Sequence, residues 1–541
     1  MARRVAVIGA GNAGLVCIKC CLDEGLEPVC FESSDDIGGL WRFKEKPEAE
    51  RSSIYRSLMV NTSKEMMCFS DFPMPAHYPN YMSHSQLLQY FRLYADHFDL
   101  LKHIHFQTTV RSVRQRHDFS QSGQWEVVTE SSDGYKETHV FDAVSVCSGN
   151  FTHPVTPNFP GIDTFQGKCS HSWEYKDPDE FRGKRVVIVG IGNSGGDIAV
   201  EISRVAEKTF LSIREGVWVV GRMGSSGLPM DMMLLRRAAF MLAQLLPRAL
   251  LNWVLERAYN QKYDHRLYGL QPSYRILDRP LVINDDLPVR ILQGALQVKP
   301  NIQEFRGSTV VFDNGAIEEG VDAVVFCTGY KATFPFLPPS ITNSSEGELT
   351  FFKRVFPVSL EHPTLAIFGL VYPKGPLMPV EEMQARWATR VFAGLNHLPS
   401  LATMCEIIKK EIKTKTARNS KITVLEEDYI PYIDSIAQEV CARPSLLWLF
   451  LTDPGLGWKV MFGPTTPYQY RLCGPGRWEG ARQAIFTQWE RVVQPLNTHP
   501  IPEPKSSEKF VAPFLYLFFV CFFCFVLFLV FVFFACFSFL T

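Results

Sequence analysis

Two short apolar runs, each ending in the same glycine pattern, constrain the fold of this chain more than any other feature. Arg4-Val-Ala-Val-Ile8 leads at once into Gly9-Ala10-Gly11-Asn12-Ala13-Gly14, and Arg185-Val-Val-Ile-Val189 leads into Gly190-Ile-Gly192-Asn-Ser194-Gly195. Helical patterns follow both, from Leu15 to Leu22 and through Ala199 to Val205. An apolar run, then G-x-G-x-x-G, then a helix predicts a buried parallel strand, a tight turn and a helix aimed back at it. The first glycine permits the turn and the second lets a pyrophosphate approach the backbone. The third lets the helix pack on the strand, with its positive N-terminus facing the phosphates. The expected fold class is α/β, with two nested Rossmann-like dinucleotide-binding domains.

The residue that ends the next strand differs between the two copies. After the first, Pro28 to Phe31 ends in Glu32, about 20 residues past the glycines, where an acid binds ribose hydroxyls. A carboxylate there repels a 2′-phosphate, so this site suits FAD or NAD. After the second, Thr209 to Ile213 ends in Arg214, with Arg222 a little further on. A guanidinium suits the 2′-phosphate of NADP, which it holds by paired hydrogen bonds. FAD together with NADPH is the simplest pair that satisfies both.

A chain of 541 residues is too long for one simple core. Basic residues number 55 and acidic residues 56, so the charge balance gives no reason to expect nucleic acid. The sequence has no HExxH and no paired CxxC fingers, and no metal is expected. The 14 Cys are too sparse for a disulfide scaffold, and Cys17 and Cys20 fall one turn apart on the buried side of the first helix. The chain divides into a first FAD part (1–154), a first NADPH part (155–214) and an insertion (215–295). A second NADPH part (296–330), a second FAD part (331–441) and a C-terminal extension (442–509) follow. Within the insertion, Met230 to Leu255 is apolar with arginines interspersed; lying on a membrane surface and packing on the protein body are both open. Residues 511–541 carry no charge and exceed the ~20 residues that span a bilayer, which predicts a C-terminal transmembrane helix with the rest of the chain left in the cytosol.

Phe165-Gln-Gly167-Lys-Cys-Ser-His171-Ser-Trp-Glu-Tyr175 lies between the fingerprints and matches, without a mismatch, the FxGxxxHxxxY identifying sequence of flavin-containing monooxygenases. Gly38-Gly-Leu40-Trp41, Asn61-Thr62-Ser-Lys-Glu65, Phe69-Ser-Asp-Phe-Pro73, Asn284-Asp-Asp286, Gln384-Ala-Arg-Trp387 and Gly474 to Arg482 also resemble the vertebrate microsomal branch. The resemblance spans essentially the whole chain. It implies an enzyme of the endoplasmic reticulum membrane that reduces FAD with NADPH, adds O2 to form a C4a-hydroperoxyflavin, and keeps NADP bound as a shield. Small amines and sulfides, soft nucleophiles, then take one oxygen atom. The cofactor carries such a reaction, while the protein supplies position, hydrogen bonds and exclusion of water.

By the same resemblance Asn61 is the catalytic candidate, beside flavin and NADP. Leu40, Trp41 and Thr62 are implied FAD contacts, as are Gly9, Ala10, Gly11, Asn12, Ala13, Gly14 and Glu32 of the first copy. Val60, Ser194, Gly195, Gly196 and Asp197 are implied NADP contacts, with Gly190, Gly192 and Arg214. His171 and Tyr175 look like linker residues that fix the angle between domains. Departures from the family pattern are Asn12-Ala13, Ser33, Asn150-Phe151, Trp173 and Cys327. A flavin disulfide reductase is a poor rival, because the stretch Gly38 to Arg42, where its cysteine pair is commonly found, contains no Cys. A Baeyer–Villiger enzyme acting on ketones, an uncoupled NADPH oxidase releasing H2O2, and a membrane-tethered scaffold that has lost catalysis remain as alternatives.

Overall fold

The computed structural model describes residues 3–342, 351–418 and 425–499. The expected transmembrane segment 511–541 lies outside them, and among the described residues no helix is long and apolar enough to cross a membrane.

Each glycine fingerprint belongs to a five-stranded sheet, and both sheets have the same build. In the first the order is Leu365–Ile367, Ala143–Val146, Arg4–Ile8, Glu27–Phe31, Ile104–His105, with every pair parallel. In the second it is Leu296–Lys299, Lys208–Ser212, Arg185–Val189, Ala323–Phe326, Lys168–His171, again parallel. In each, the fingerprint strand is central and the chain builds outward from it on one side, then returns to pair on the other; in the second sheet the outer strand of that other side, Lys168–His171, is laid down before the fingerprint strand. A crevice therefore opens at the carboxyl ends of the two strands where the direction reverses. The second sheet is drawn entirely from residues 168–326, whereas the first takes its last strand from Leu365–Ile367.

Strand alternation explains why both sheets are covered on two faces. Val5 and Val7 join one apolar cluster while Ala6 and Ile8 join another, and Val186 and Ile188 separate from Val187 and Val189 in the same way. Helix Asn12–Asp23 covers the first sheet and is buried from Ala13 to Cys21. Cys17 and Cys20 are core residues of that helix and carry no disulfide. The second fingerprint helix runs Asn193–Ile202, so its end comes before Val205; the chain turns at Ser203, and the Val205 N–H bonds to the Ile202 carbonyl.

Between Lys208–Ser212 and Leu296–Lys299 the insertion forms helices Met230–Leu234, Arg237–Leu245, Arg248–Asn260 and Leu287–Leu292. Arg237 is not a surface cation. It is buried, with two bonds to the Asp434 carboxylate at 2.5 and 2.9 Å and one to Gln469 at 2.8 Å. The opposite side of these helices is open and apolar: Leu245 is 79% exposed and Trp253 55%. The helix Pro454–Phe462 packs on both Arg237–Leu245 and Leu446–Thr452, and the latter exposes Leu447, Trp448 and Leu451.

A buried ionic cluster joins distant parts of the chain. Arg471 meets Asp71 and Glu382, each at 2.8 Å, and Lys19 meets Asp71 at 2.7 Å and Asp23 at 2.6 Å. Nearby, Arg491 pairs with Glu65. Removing one member of such a cluster strands its partners without water, at a cost of about 3–5 kcal/mol.

Candidate active site and cofactor crevices

The two fingerprints superimpose in their local chemistry. Gly9 and Gly190 both have φ +101°, a backbone conformation that a side chain resists. A Cβ on either would stand 2.7 Å from a facing carbonyl, that of Cys147 or of Cys327. A Cβ on Gly14 would fall 1.9 Å from the Gly9 carbonyl oxygen, and one on Gly195 would fall 2.2 Å from that of Gly190. These glycines thus hold helix against strand. At the mouth of the crevice the opposite applies. Nothing stands within 4 Å of a Cβ at Gly192, and Gly11 is faced only by the Gly39 backbone. Neither helix has a side-chain cap at its N-terminus. An open backbone cradle with uncapped N–H groups fits a diphosphate in either crevice.

Glu32 ends the second strand and is buried. Its carboxylate accepts from the Ala10 N–H at 2.7 Å, the Ser34 N–H at 2.8 Å and the Ser34 hydroxyl at 2.7 Å. It pins the glycine turn from inside, and of its roughly four acceptor positions one is left over. Leu40 and Trp41 lie on the short helix Gly39–Trp41, directly beside Gly11. Arg214 is exposed, two residues beyond the end of strand Lys208–Ser212. Ser194 and Gly196 lie on the first turn of the fingerprint helix. Asp197 does not stand free: Tyr55 donates to one carboxylate oxygen and Asn284 to the other, both at 2.7 Å. Asp197 therefore fastens helix Asn193–Ile202 to the Tyr55 loop. Tyr175 works beside it, donating to Glu201 at 2.7 Å and packing edge-on against Tyr55. His171 packs edge-on against Tyr330.

Val60, Asn61 and Thr62 lie just before the short helix Lys64–Met67. Asn61 is half-buried, and its Oδ1 accepts from Arg222 at 2.7 Å. The guanidinium of Arg222 also reaches Asp285 at 3.2 Å, so it belongs to the Asn61 loop and is already committed. Lys64 is wholly buried and donates to the Ala76 and Tyr78 carbonyls; burial lowers its ammonium to about 8.

The sequence reading missed one acid. Glu381, in the first turn of helix Met378–Phe392, accepts from the Asn12 amide, and a Cβ on Gly369 would meet its carboxylate at 2.4 Å. Close by, Asn150 donates to the Gly369 carbonyl at 2.5 Å while its own buried Oδ1 has no partner among the described residues. Burial pushes the Glu381 carboxyl up to about 8, against a smaller downward pull from Asn12. In the unfolded chain a glutamate ionises near pH ~4.3. Between that pH and about 8 only the unfolded state loses the proton, so folding loses stability as pH rises. Glu381→Gln keeps the acceptor for Asn12 and has nothing to ionise. It should melt on the order of 3 °C above the parent at pH 8.5 and level with it at pH 5. A difference in melting that does not change with pH would mean that Glu381 is ionised throughout.

The family profile described as flavin-binding monooxygenase-like matches residues 2–535. The chain belongs to that family. Flavin-containing monooxygenase 5 of Mus musculus is 51% identical over 513 residues, covering 94% of this chain and 96% of its own. Dimethylaniline monooxygenase [N-oxide-forming] 2 of Macaca mulatta is 49% identical over 519 residues, covering 95% and 96%. Among solved structures, S-allyl-L-cysteine S-oxygenase from Allium sativum shares the fold with a TM-score of 0.63 at 24% identity, covering 91% of this chain and 99% of its own. This flavin monooxygenase uses FAD and NADPH and oxygenates soft nucleophiles.

Proposed function

We propose that the first crevice holds FAD, that the second holds NADPH, and that Asn61 is the side chain acting where they meet. The observation carrying this reading is the contrast between two matched cradles: one ends in the buried acid Glu32, the other in the exposed cation Arg214. Gly9 to Gly14 and Glu32 would receive the FAD diphosphate and ribose, with Leu40, Trp41 and Thr62 alongside. Gly190, Gly192, Ser194, Gly195 and Gly196 would receive the NADPH diphosphate, with Arg214 on its 2′-phosphate and Val60 at its other end. Asp197 would act through the domain junction. The domain limits 1–154, 155–214, 215–295, 296–330, 331–441 and 442–509 follow this division of labour.

A bound flavin would supply hydride acceptance from NADPH and activation of O2. Overall, NADPH, a proton, O2 and the substrate give NADP+, water and the oxygenated substrate. The chain's own residues orient the two cofactors, keep water from between them, and present the Asn61 amide to a developing negative charge.

The tail 511–541 is read as the anchor in the endoplasmic reticulum membrane, with the catalytic part on the cytosolic side. The open apolar sides of Arg237–Leu245, Arg248–Asn260 and Leu446–Thr452 support contact with lipid.

The detergent-purified holoenzyme should be given NADPH and O2 with a tertiary amine, a thioether or a cyclic ketone in turn. N-oxide or S-oxide formed nearly one per NADPH is the expected result. Lactone from the ketone at the higher rate would instead establish Baeyer–Villiger chemistry. H2O2 matching NADPH with every substrate would make the protein an oxidase, and protein without flavin would leave only a scaffold.

A further inference from the structure

An asparagine amide shows a donor face or an acceptor face, and the two are nearly the same shape. Which one Asn61 offers depends on what holds its other end. Here that is Arg222, whose Nη2 lies 2.7 Å from Asn61 Oδ1 and whose Nε lies 3.4 Å from the Val60 carbonyl. A guanidinium has five donors and no acceptor, so only the oxygen of the amide can face it. Asn61 Nδ2 is left as the group offered to a bound molecule, and no protein acceptor meets it among the described residues.

Arg222 is itself braced. Its Nη1 meets Asp285 Oδ2 at 3.2 Å, its backbone N–H meets Asp285 Oδ1 at 3.0 Å, and its carbonyl accepts from the Tyr81 hydroxyl at 2.8 Å. The next residues of the loop are also gripped from the insertion: the half-buried Asp231 accepts from the Ser63 N–H at 2.6 Å. Arg222, Asp231 and Asp285 all come from the segment between Lys208–Ser212 and Leu296–Lys299, whereas Val60 to Ser63 belong to the first part of the chain. The insertion therefore holds the loop at two points.

We propose that Arg222, braced by Asp285, is a positioning residue that locks the Asn61 amide with its NH2 as the donor toward the reacting centre. The inference rests on the role proposed for Asn61. A donor fixed in advance stabilises charge that builds up on an acceptor oxygen or nitrogen and costs no reorientation during the reaction. A free amide would spend part of its time with Oδ1 facing that charge, which repels it. Arg222 is thereby taken away from the 2′-phosphate and given to the Asn61 loop.

The test uses the full-length holoenzyme and the variants Arg222→Met, Arg222→Lys, Asp285→Asn, Asn61→Ala and Arg222→Met with Asn61→Ala. Three quantities are measured: the ratio of H2O2 to oxygenated product per NADPH, the rate of anaerobic flavin reduction by NADPH and by NADH, and the visible difference spectrum that NADP+ induces in the oxidised flavin. Loss of one charge-assisted bond predicts that Arg222→Met raises the H2O2 ratio about tenfold. The preference for NADPH over NADH should stay unchanged, and the difference spectrum should alter as it does in Asn61→Ala. Arg222→Lys and Asp285→Asn should lie between, and they stand in for Arg222→Met if it fails to fold. On the Asn61→Ala background, Arg222→Met should add nothing.

An additive double variant, or a loss of NADPH preference in Arg222→Met, would overturn the proposal, the second by making Arg222 a phosphate ligand. If Asn61→Ala uncouples the enzyme and Arg222→Met does not, this inference alone falls. If Asn61→Ala leaves coupling intact, the role proposed for Asn61 falls and takes this inference with it.

Discussion

Gly14→Ala is expected to purify without flavin. The added methyl would sit 1.9 Å from the Gly9 carbonyl oxygen and 2.9 Å from its carbon, both backbone atoms. A Cβ has no rotamer, so relief must come from moving helix Asn12–Asp23 off strand Arg4–Ile8. That helix is buried along its length, and overpacking such a face costs about 1–3 kcal/mol or more. The movement also carries the uncapped helix N-terminus away from the crevice, so diphosphate affinity falls together with stability. Retained flavin, read as the ratio of visible to ultraviolet absorbance after gel filtration, should drop below about a tenth of the parent value. Gly134→Ala is the control: its φ is also positive, at +84°, but nothing lies within 4 Å of the new methyl. Normal flavin content in Gly14→Ala would remove the first crevice from consideration as the FAD site.

Gly195→Ala places the same clash in the other sheet, with its methyl 2.2 Å from the Gly190 carbonyl oxygen and 3.2 Å from Cys327 Cβ. Its result should differ in kind. Flavin should be retained, because no atom of the first crevice is touched, while anaerobic reduction by NADPH should slow about a hundredfold through lost dinucleotide binding. Dithionite should still reduce the flavin at the parent rate. If instead Gly195→Ala loses flavin and Gly14→Ala keeps it, the cofactors are assigned to the wrong sheets.

Both glycine turns were readable in the sequence because everything that defines them is local: one strand, six residues and one helix. Glu32 could be read for the same reason, at a fixed interval after the glycines. Contacts between distant segments could not. Arg222 and Asn61 lie 161 positions apart, and Asn12 and Glu381 lie 369 apart. No periodicity in either segment points to the other. Arg237 reads as one more cation in an apolar, arginine-dotted stretch until Asp434 is seen against it. The resemblance implies Asp197 as an NADP contact; the structure adds that each of its oxygens accepts one bond, from Tyr55 and from Asn284. The resemblance supplied a position there, and only the geometry supplied the partners. Glu381 escaped notice because a lone glutamate early in a helix is ordinarily a solvated residue near a positive dipole; here it is buried with an amide as its neighbour.

The nesting of one sheet within the chain that builds the other sets an order on the newborn protein. Once Phe326 has left the ribosome, every strand of the second sheet is available, whereas the first still waits for Leu365–Ile367. Even then Lys19, Asp71 and Glu382 are three charges awaiting the one side chain, Arg471, that completes their cluster. The amino-terminal third is therefore the part exposed longest during synthesis, and the part that chaperones must shelter. A stop codon between Phe326 and Leu365 would release a chain with one closed nucleotide fold and one that lacks its last strand, a substrate for proteolysis and not a smaller enzyme.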